Sequence, residues 1–466
     1  MTEHNAQITG GGPADLMDFV ERASGVRGLL GEIFGETDAS LLLRLARAVI
    51  GQKWAVLTPP GAADEDEIFP AADVDESARR ALFERVGARA DLRRAFMDRR
   101  RAVYNPDDRQ LLAFESYALS LWDEENDVPI GDFSLWVNFF TRDTYEPVGY
   151  AFLPECYVGS GADQEAIDGF EKFRVRPCLV TDKNNIEDEL FNYFVNDDLQ
   201  YLLLDWPIEA PWALEVIEDQ SWGIGDEHCR EPDHPSRYTM RTERDVESAW
   251  EMWCEDDDDT MVRHVWLHCT FDQDRYDAEA ADLRQKLEDI RQKLAKERRG
   301  LSEEEKEFAG NCLLRRKGKW ILNEAAVRNR LKTAGWSLRI SRVALMPKEV
   351  VEIEETYKAV DHRMDIMSAY DERYLEDGKS LEESPAMQGR LFVQFVAQCL
   401  ASHARRRIRA VRAALKDSSD PQAELIRKVL LDAELLDVLR HLGETAEPGT
   451  EKILGERFLQ EFSRPL

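Results

Sequence analysis

The chain has 466 residues, too many for one compact core at the usual domain size, so more than one folding unit is expected. A hydrophobic fraction of 43%, with 11 Trp and 20 Phe, excludes a chain left unfolded for want of apolar side chains. The net charge of −31 excludes the overall basic footprint that nucleic-acid binders carry. No apolar run of about 18 residues is present to span a membrane.

The charge is unevenly placed. Between Leu121 and Thr260 stand 36 Asp or Glu against 9 Lys or Arg, a balance of −27, while the other 326 residues carry only −4. A halophilic surface would spread its acids along the whole chain, so this is a local feature. It permits imitation of nucleic acid, or capture of a basic protein partner by residues 121–260. Two basic patches lie outside it: Arg85 to Arg101, and Arg405-Arg406-Arg407 with Arg409, Arg412 and Lys416. The seven cysteines, at 156, 178, 229, 254, 269, 312 and 399, are scattered and contain no CxxC pair, as expected for reduced thiols. Met1 to Ala14 lacks a basic segment followed by an apolar one, so a cytoplasmic location is expected.

In chain order, residues 14–55 read as helices, from apolar side chains at helical spacing in Leu16, Phe19 and Val20 and again in Leu29, Leu30, Ile33 and Phe34. Gly35 closes that segment, and Asp38 or Ser40 can cap the next. After a Pro-rich acidic linker, residues 75–101 form an Arg-rich helical region. Strands are expected at Gln110–Leu119, Phe133–Phe140 and Val148–Leu153. A helix at Asp163–Phe173, a strand at Cys178–Thr181, a helix from about Asn185 to Phe194 and a strand at Gln200–Leu204 follow. Three strands and then βαβ crossovers predict a mixed sheet with helices on its faces, an α/β fold.

Residues 206–335 break this pattern with a Trp-rich, acidic, His-containing section. After it comes a charged helix whose Leu283, Leu287, Ile290 and Leu294 fit one arm of a helical hairpin. A strand, Trp336–Leu345, leads through Pro347 into a long helix reaching about Tyr374. Ser384-Pro385 opens another, whose wide apolar face holds Leu391, Phe392, Phe395, Val396, Cys399 and Leu400.

Several ordered landmarks resemble the DDE transposases of bacterial insertion sequences, the branch usually called the IS-four type, within the RNase H-like and retroviral-integrase superfamily. Leu111-Leu112-Ala113-Phe114-Glu115-Ser116 resembles the first catalytic strand, where the family has Asp in place of Glu115. Leu179-Val180-Thr181-Asp182-Lys183-Asn184 resembles the second, with Asp182 in register. Phe271-Asp272-Gln273-Asp274-Arg275 resembles a segment of the family's insertion, and Gly335-Trp336-Ser337-Leu338 the strand before the third-acid helix. Gln388-Gly389-Arg390-Leu391-Phe392-Val393-Gln394-Phe395-Val396-Ala397 is the most specific match, to the C-terminal helix.

The resemblance covers roughly residues 14–415. It implies an RNase H-like mixed sheet with helices on both faces, a large insertion before the last catalytic helix, and helical terminal regions. On that pattern residues 1–105 are a helical lead-in and 106–205 the first part of the core. Residues 206–335 are an acidic insertion with a helical hairpin, 336–378 the last strand and third-acid helix, and 379–466 a C-terminal helical region. The implied activity is DNA transposition by metal-dependent cleavage and strand transfer. Glu115 and Asp182 would be ligands for Mg²⁺ (or Mn²⁺), and Arg405, Arg406, Arg409 and Arg412 candidate nucleic-acid contacts.

The departures from the family pattern bear on activity. The family's third acid is a Glu seven residues after a Tyr; counted from Tyr357, that position holds Met364. Asp365 is adjacent, and Asp361 lies one turn earlier; either is a substitute third acid. A two-metal phosphodiester site needs carboxylate oxygens at both ions. Glu115 keeps the ligand type but adds a methylene, and the thioether of Met364 does not bind Mg²⁺. His228, Cys229, His234, Cys254, His264, His268 and Cys269 fit no structural-zinc spacing. Glu255-Asp256-Asp257-Asp258-Asp259 lacks the Gly and final Glu of a calcium loop. Two functions are therefore expected: a transposase with impaired or lost catalysis, or a domesticated, inactive scaffold that binds a protein or nucleic-acid partner.

Overall fold

The computed structural model describes residues 12–51, 68–69, 75–123, 128–154, 177–182, 200–208, 211–231, 234–246, 263–296, 301–361, 384–416, 418, 420–431, 435–443, 454, 456–464 and 466. The helices expected at 163–173 and 185–194, and the continuation of the Pro347 helix beyond 361, lie outside the described residues. Five helices come first: α1 (Pro13–Ala23), α2 (Val26–Phe34), α3 (Glu36–Gly51), α4 (Glu76–Gly87) and α5 (Ala90–Tyr104). Five strands follow: β1 (Leu111–Asp123), β2 (Val128–Thr141), β3 (Pro147–Pro154), β4 (Cys178–Asp182) and β5 (Gln200–Leu204). Then come α6 (Pro211–Gln220), β6 (Arg237–Val246), β7 (Arg263–Asp272), α7 (Gln273–Lys296), α8 (Glu303–Ala309), β8 (Leu313–Arg316), β9 (Lys319–Leu322) and α9 (Glu324–Arg330). The last elements are β10 (Trp336–Ser341), α10 (Pro347–Asp361), α11 (Pro385–Leu415), α12 (Pro421–Leu431), α13 (Leu435–Gly443) and α14 (Glu456–Phe462).

The fold is mixed α/β. Eight strands form one mixed sheet in the order β3-β2-β1-β4-β5-β10-β7-β6, and β8 pairs with β9 apart from it. The chain divides into two compact units, Met1–Leu179 with Glu355–Leu466, and Val180–Glu354. No described helix is long and apolar enough to cross a membrane.

In the first unit, the periodic side chains Leu16, Phe19, Val20 and Leu30 are all buried. Gly35 both closes α2, donating to the Gly31 carbonyl at 3.0 Å, and opens α3, accepting from the Ala39 N–H at 3.0 Å. Asp38, expected as a cap, therefore sits in the first turn of α3, where it accepts from Arg85 Nη2 at 2.6 Å. β1 to β3 form an antiparallel meander, with Leu111 opposite Thr141 and Leu135 opposite Leu153.

The spine of this unit is α11. Ser384 caps it, accepting from the Met387 N–H, and every residue from Ala386 to Ala404 is buried. Phe392 packs on Phe34 and Phe96, and Phe395 on Phe96 and Tyr150, so one helix gathers α2, α5 and β3 into a core. α4 crosses it where Gly389 faces Phe83 and Gly87 faces Pro385. A Cβ on either glycine would run into the other helix's backbone. A helix wrapped on all sides has no polar face to spare, which is why Gln388, Arg390, Gln394 and Gln398 are buried as well.

The second unit contains two long strands, β6 and β7, in the section that the sequence reading left irregular. They pair in full register from Arg237 opposite Asp272 to Val246 opposite Arg263. Along β7, Val265, Leu267, Cys269 and Phe271 alternate onto one face, and all are buried. The charged helix with the expected leucine stripe is α7, and the short α8 follows it. Leu283, Leu287 and Ile290 join Ala309, Cys312, Leu313, Val327 and Leu331 in a separate small core beneath the β8–β9 hairpin.

Candidate functional site

Glu115 stands in β1 opposite Val137, and the register shifts between Glu115 and Ala118. Asp182 is the last residue of β4, and β1 and β4 are neighbours in the strand order. The side chains of both acids lie outside the described residues.

One residue before Glu115, Phe114 is fully buried, with its ring 4.6 Å from Phe140 and edge-on to Tyr357 at 5.7 Å. Tyr357 opens the motif in which the third acid is expected, and it too is buried. This ring contact fastens the last turn of α10 to β1 beside the first acid. Asp361 ends α10 four residues after Tyr357, on the same helix face. Its side chain, and the whole of Met364 and Asp365, lie outside the described residues.

By donor chemistry the carboxylates of Glu115 and Asp182 fit a hard divalent cation, and the thioether at 364 does not. Among the described residues no group of three His, Cys, Asp or Glu is placed to hold a metal.

The candidate DNA contacts on α11 are engaged with the protein. Arg409 donates to Thr356 Oγ1 at 2.9 Å and lies over the Tyr145 ring. Arg406, half-buried, stands 3.8 Å from Glu146. Arg405 and Arg412 are half-buried and have partners of their own.

Behind them is a buried polar network that the sequence reading missed. Arg407, 2% exposed, donates from Nε to His403 Nε2 at 3.0 Å and from Nη1 to the carbonyls of Phe462 and Arg464. Since His403 Nε2 accepts, its proton sits on Nδ1 and is donated to Glu146 at 2.9 Å. Arg100 closes the other carboxylate oxygen at 3.1 Å. Burial pushes the Glu146 carboxyl up, but the His403 hydrogen bond and the charges of Arg100 and Arg406 outweigh it and hold it below the usual range. Burial lifts Cys399, beside this network, to about 12. The one available signal was the i, i+4 spacing of His403 and Arg407 on a helix with so many apolar side chains.

Most of the Arg85–Arg101 patch is likewise paired, Arg94 excepted among the described residues. Arg85 meets Asp38, Arg89 Asp91, Arg99 Glu32 and Arg101 Asp108, while Arg93 is buried against the Val86 carbonyl and Gln388.

A second polar face lies in the other unit, on β6, β7 and β10, where Arg241, His268 and Arg339 share one row. Arg339 is paired with Glu354 and donates to Thr270 Oγ1 at 2.7 Å. The Ser341 hydroxyl donates to the Val343 carbonyl at 2.6 Å, so His268 Nε2, 2.8 Å away, donates to Ser341. Among the described residues the buried Nδ1 of His268 has no hydrogen-bond partner. Burial, with the charges of Arg339 and Arg241, pushes its pKa down to about 3, so the ring is neutral. Cys269, the next residue, faces the opposite side of the strand, and burial lifts it to about 12. The pair is no metal site.

No family model and no curated protein matches the chain.

Proposed function

We propose that the chain is a transposase-like protein with an RNase H-like core, acting on DNA, whose metal-dependent cleavage and strand transfer are impaired. The observation that carries this reading is the placement of the two strand acids. The resemblance requires its acid-bearing strands to be neighbours, and β1 with Glu115 adjoins β4 with Asp182. The Tyr357–Phe114 contact adds support, because it brings the helix of the third acid to the strand of the first.

Glu115 and Asp182 would hold Mg²⁺ or Mn²⁺, which supplies an activated attacking oxygen and stabilises the leaving one. Asp361 or Asp365 would serve as the third acid. With Met364 in the family's position and a methylene too many at 115, the ions lose the fixed anchoring on which electrostatic stabilisation depends. The five described cysteines are all free thiols, which supports a reducing, cytoplasmic setting.

The test is Mn²⁺-dependent nicking of duplex DNA by wild type, Asp182→Ala and Met364→Glu. Little or no wild-type cleavage and a gain in Met364→Glu are expected. Robust wild-type cleavage that survives Asp182→Ala would sink the assignment. The second reading, an inactive scaffold derived from a transposase, is favoured by Met364 itself. It predicts that none of the three proteins cleaves. The −27 segment, residues 121–260, would then be the surface for a basic protein partner.

A further inference from the structure

The β8–β9 hairpin carries Arg315, Arg316, Lys317 and Lys319 around a two-residue turn, in a chain of net charge −31. All four are exposed. Among the described residues none of the four makes an ion pair. Several exposed cations elsewhere in the same unit are matched, as in Arg284 with Glu324, Lys293 with Glu305 and Lys332 with Glu218.

Two local features show that folding does not ask for these charges. Arg316 stands directly opposite Lys319, and like charges facing one another across a strand pair repel. Lys317 has φ 49° and Gly318 φ 81°, the left-handed pair of a tight hairpin turn, where Asn or Gly is favoured first and a lysine side chain crowds its own carbonyl. The fold needs the other end of the hairpin. Leu313, Trp320 and Leu322 belong to the small core with Leu287, Ile290 and Val327. Residues that oppose local stability and make no ion pair among the described residues point to a functional surface.

We infer that the tip of the β8–β9 hairpin binds the phosphate backbone of duplex DNA. A two-stranded ribbon fits the B-DNA major groove, about 12 Å wide. Alternation places Arg316 and Lys319 on the ribbon face away from the small core, with Lys317 at the tip and Arg315 on the core-side face beyond Leu313. Arg316, Lys317 and Lys319, gathered at the tip, match the closely spaced phosphates along a duplex backbone. Duplex RNA is disfavoured, because its major groove is deep and narrow. The inference rests on the DNA-binding half of the proposed function and not on cleavage.

The test uses the full chain and a fluorescein-labelled random-sequence duplex, read by anisotropy between about 50 and 200 mM salt. Wild type is compared with the triple variant Arg316→Thr, Lys317→Asn, Lys319→Thr, whose Asn-Gly turn and Thr–Thr pair suit a hairpin and keep it folded. The variant is expected to bind at least about tenfold more weakly at the lower salt. Its plot of log affinity against log salt should be shallower by about 2 to 3, one step per lost phosphate contact. Equal affinity and slope in the two proteins would overturn the inference, as would a wild type that does not bind. Polyglutamate displacing the duplex as well as unlabelled DNA does would also overturn it, in favour of an acidic protein partner. Hairpin-dependent binding with no cleavage by any variant would leave this inference standing and remove only the catalytic reading.

Discussion

Arg405-Arg406-Arg407 on α11 and Arg315-Arg316-Lys317 on the β8–β9 turn are nearly the same as sequence, and they end in opposite places. Arg407 is buried against His403 and two C-terminal carbonyls, whereas the hairpin cations are exposed and make no ion pair among the described residues. The difference comes from the element around each run. α11 is enclosed on all sides, so an arginine one turn after a buried histidine has only interior to enter. The hairpin runs out past its own small core, so its last residues have only solvent. A basic run says nothing about a binding surface until the burial of its element is known.

The largest expected effect lies on the buried side of this comparison. Glu146→Gln removes the negative charge that Arg100 and His403 share, and leaves the Arg100 guanidinium buried without compensation. Breaking such a pair typically costs about 3–5 kcal/mol. Removing an exposed, unpaired cation, as in Arg316→Ala, should move stability by no more than about 0.5 kcal/mol. Urea unfolding of the two variants reads both numbers, and similar losses would show that the contrast between the runs is wrong.

The next effect concerns the packing that buries α11. Gly389→Ala adds a methyl where the backbone of Phe83 already sits, so α4 must move away. Overpacking of this kind costs about 1–3 kcal/mol. The same change should leave duplex binding by the hairpin at its wild-type level per folded molecule, since the hairpin belongs to the other unit. Loss of binding in a folded Gly389→Ala protein would place the DNA contact in the first unit instead.

A third expectation follows from His268. In the unfolded chain its imidazole titrates near 6.5, and in the fold only at about 3. Between these values the unfolded chain takes up a proton that the folded one does not, so stability is full above about pH 6.5 and falls as pH drops. The loss from pH 7.5 to 5.5 is about 1.4 kcal/mol. Thermal unfolding of wild type and His268→Gln across that range isolates it as a difference in slope. Parallel curves would mean that the ring is protonated or hydrated in the folded protein.

Much of the architecture was legible in the sequence, because local pattern and final environment agree there. The strand Gln200–Leu204 is found at its expected bounds, and Ser384-Pro385 starts α11 as its capping chemistry demands. β6 and β7 were not recovered. Their alternation is real, but the alternate positions carry Arg241, His268 and Thr270, and on β10 Arg339, which read as loop chemistry until Arg339 is seen paired with Glu354. The buried network was hidden for a related reason: Glu146 lies between strands, and Arg100 and His403 acquire their roles only when distant elements meet. Of the strand acids, Glu115 and Asp182 were legible as acids ending apolar runs, and their strands as neighbours. Their ligand geometry depends on side-chain placement, which no spacing in the sequence encodes.

The smallest expected effect sharpens the solvent side of the comparison, and its sign is what matters. Lys317→Asn keeps the turn and relieves the left-handed strain at φ 49°, worth about 1 kcal/mol. Stability of the Val180–Glu354 unit should therefore rise slightly, read as slower hydrogen exchange of the β8–β9 amides. Affinity for duplex DNA should fall at the same time, with the salt dependence shallower by about 1. Most substitutions that weaken binding also loosen the fold, so a variant that tightens the hairpin while loosening its hold on DNA separates a binding role from a structural one. Were Lys317→Asn to leave binding and its salt dependence unchanged, the tip lysine would have to be removed from the contact. The strained turn would then have no function to account for it.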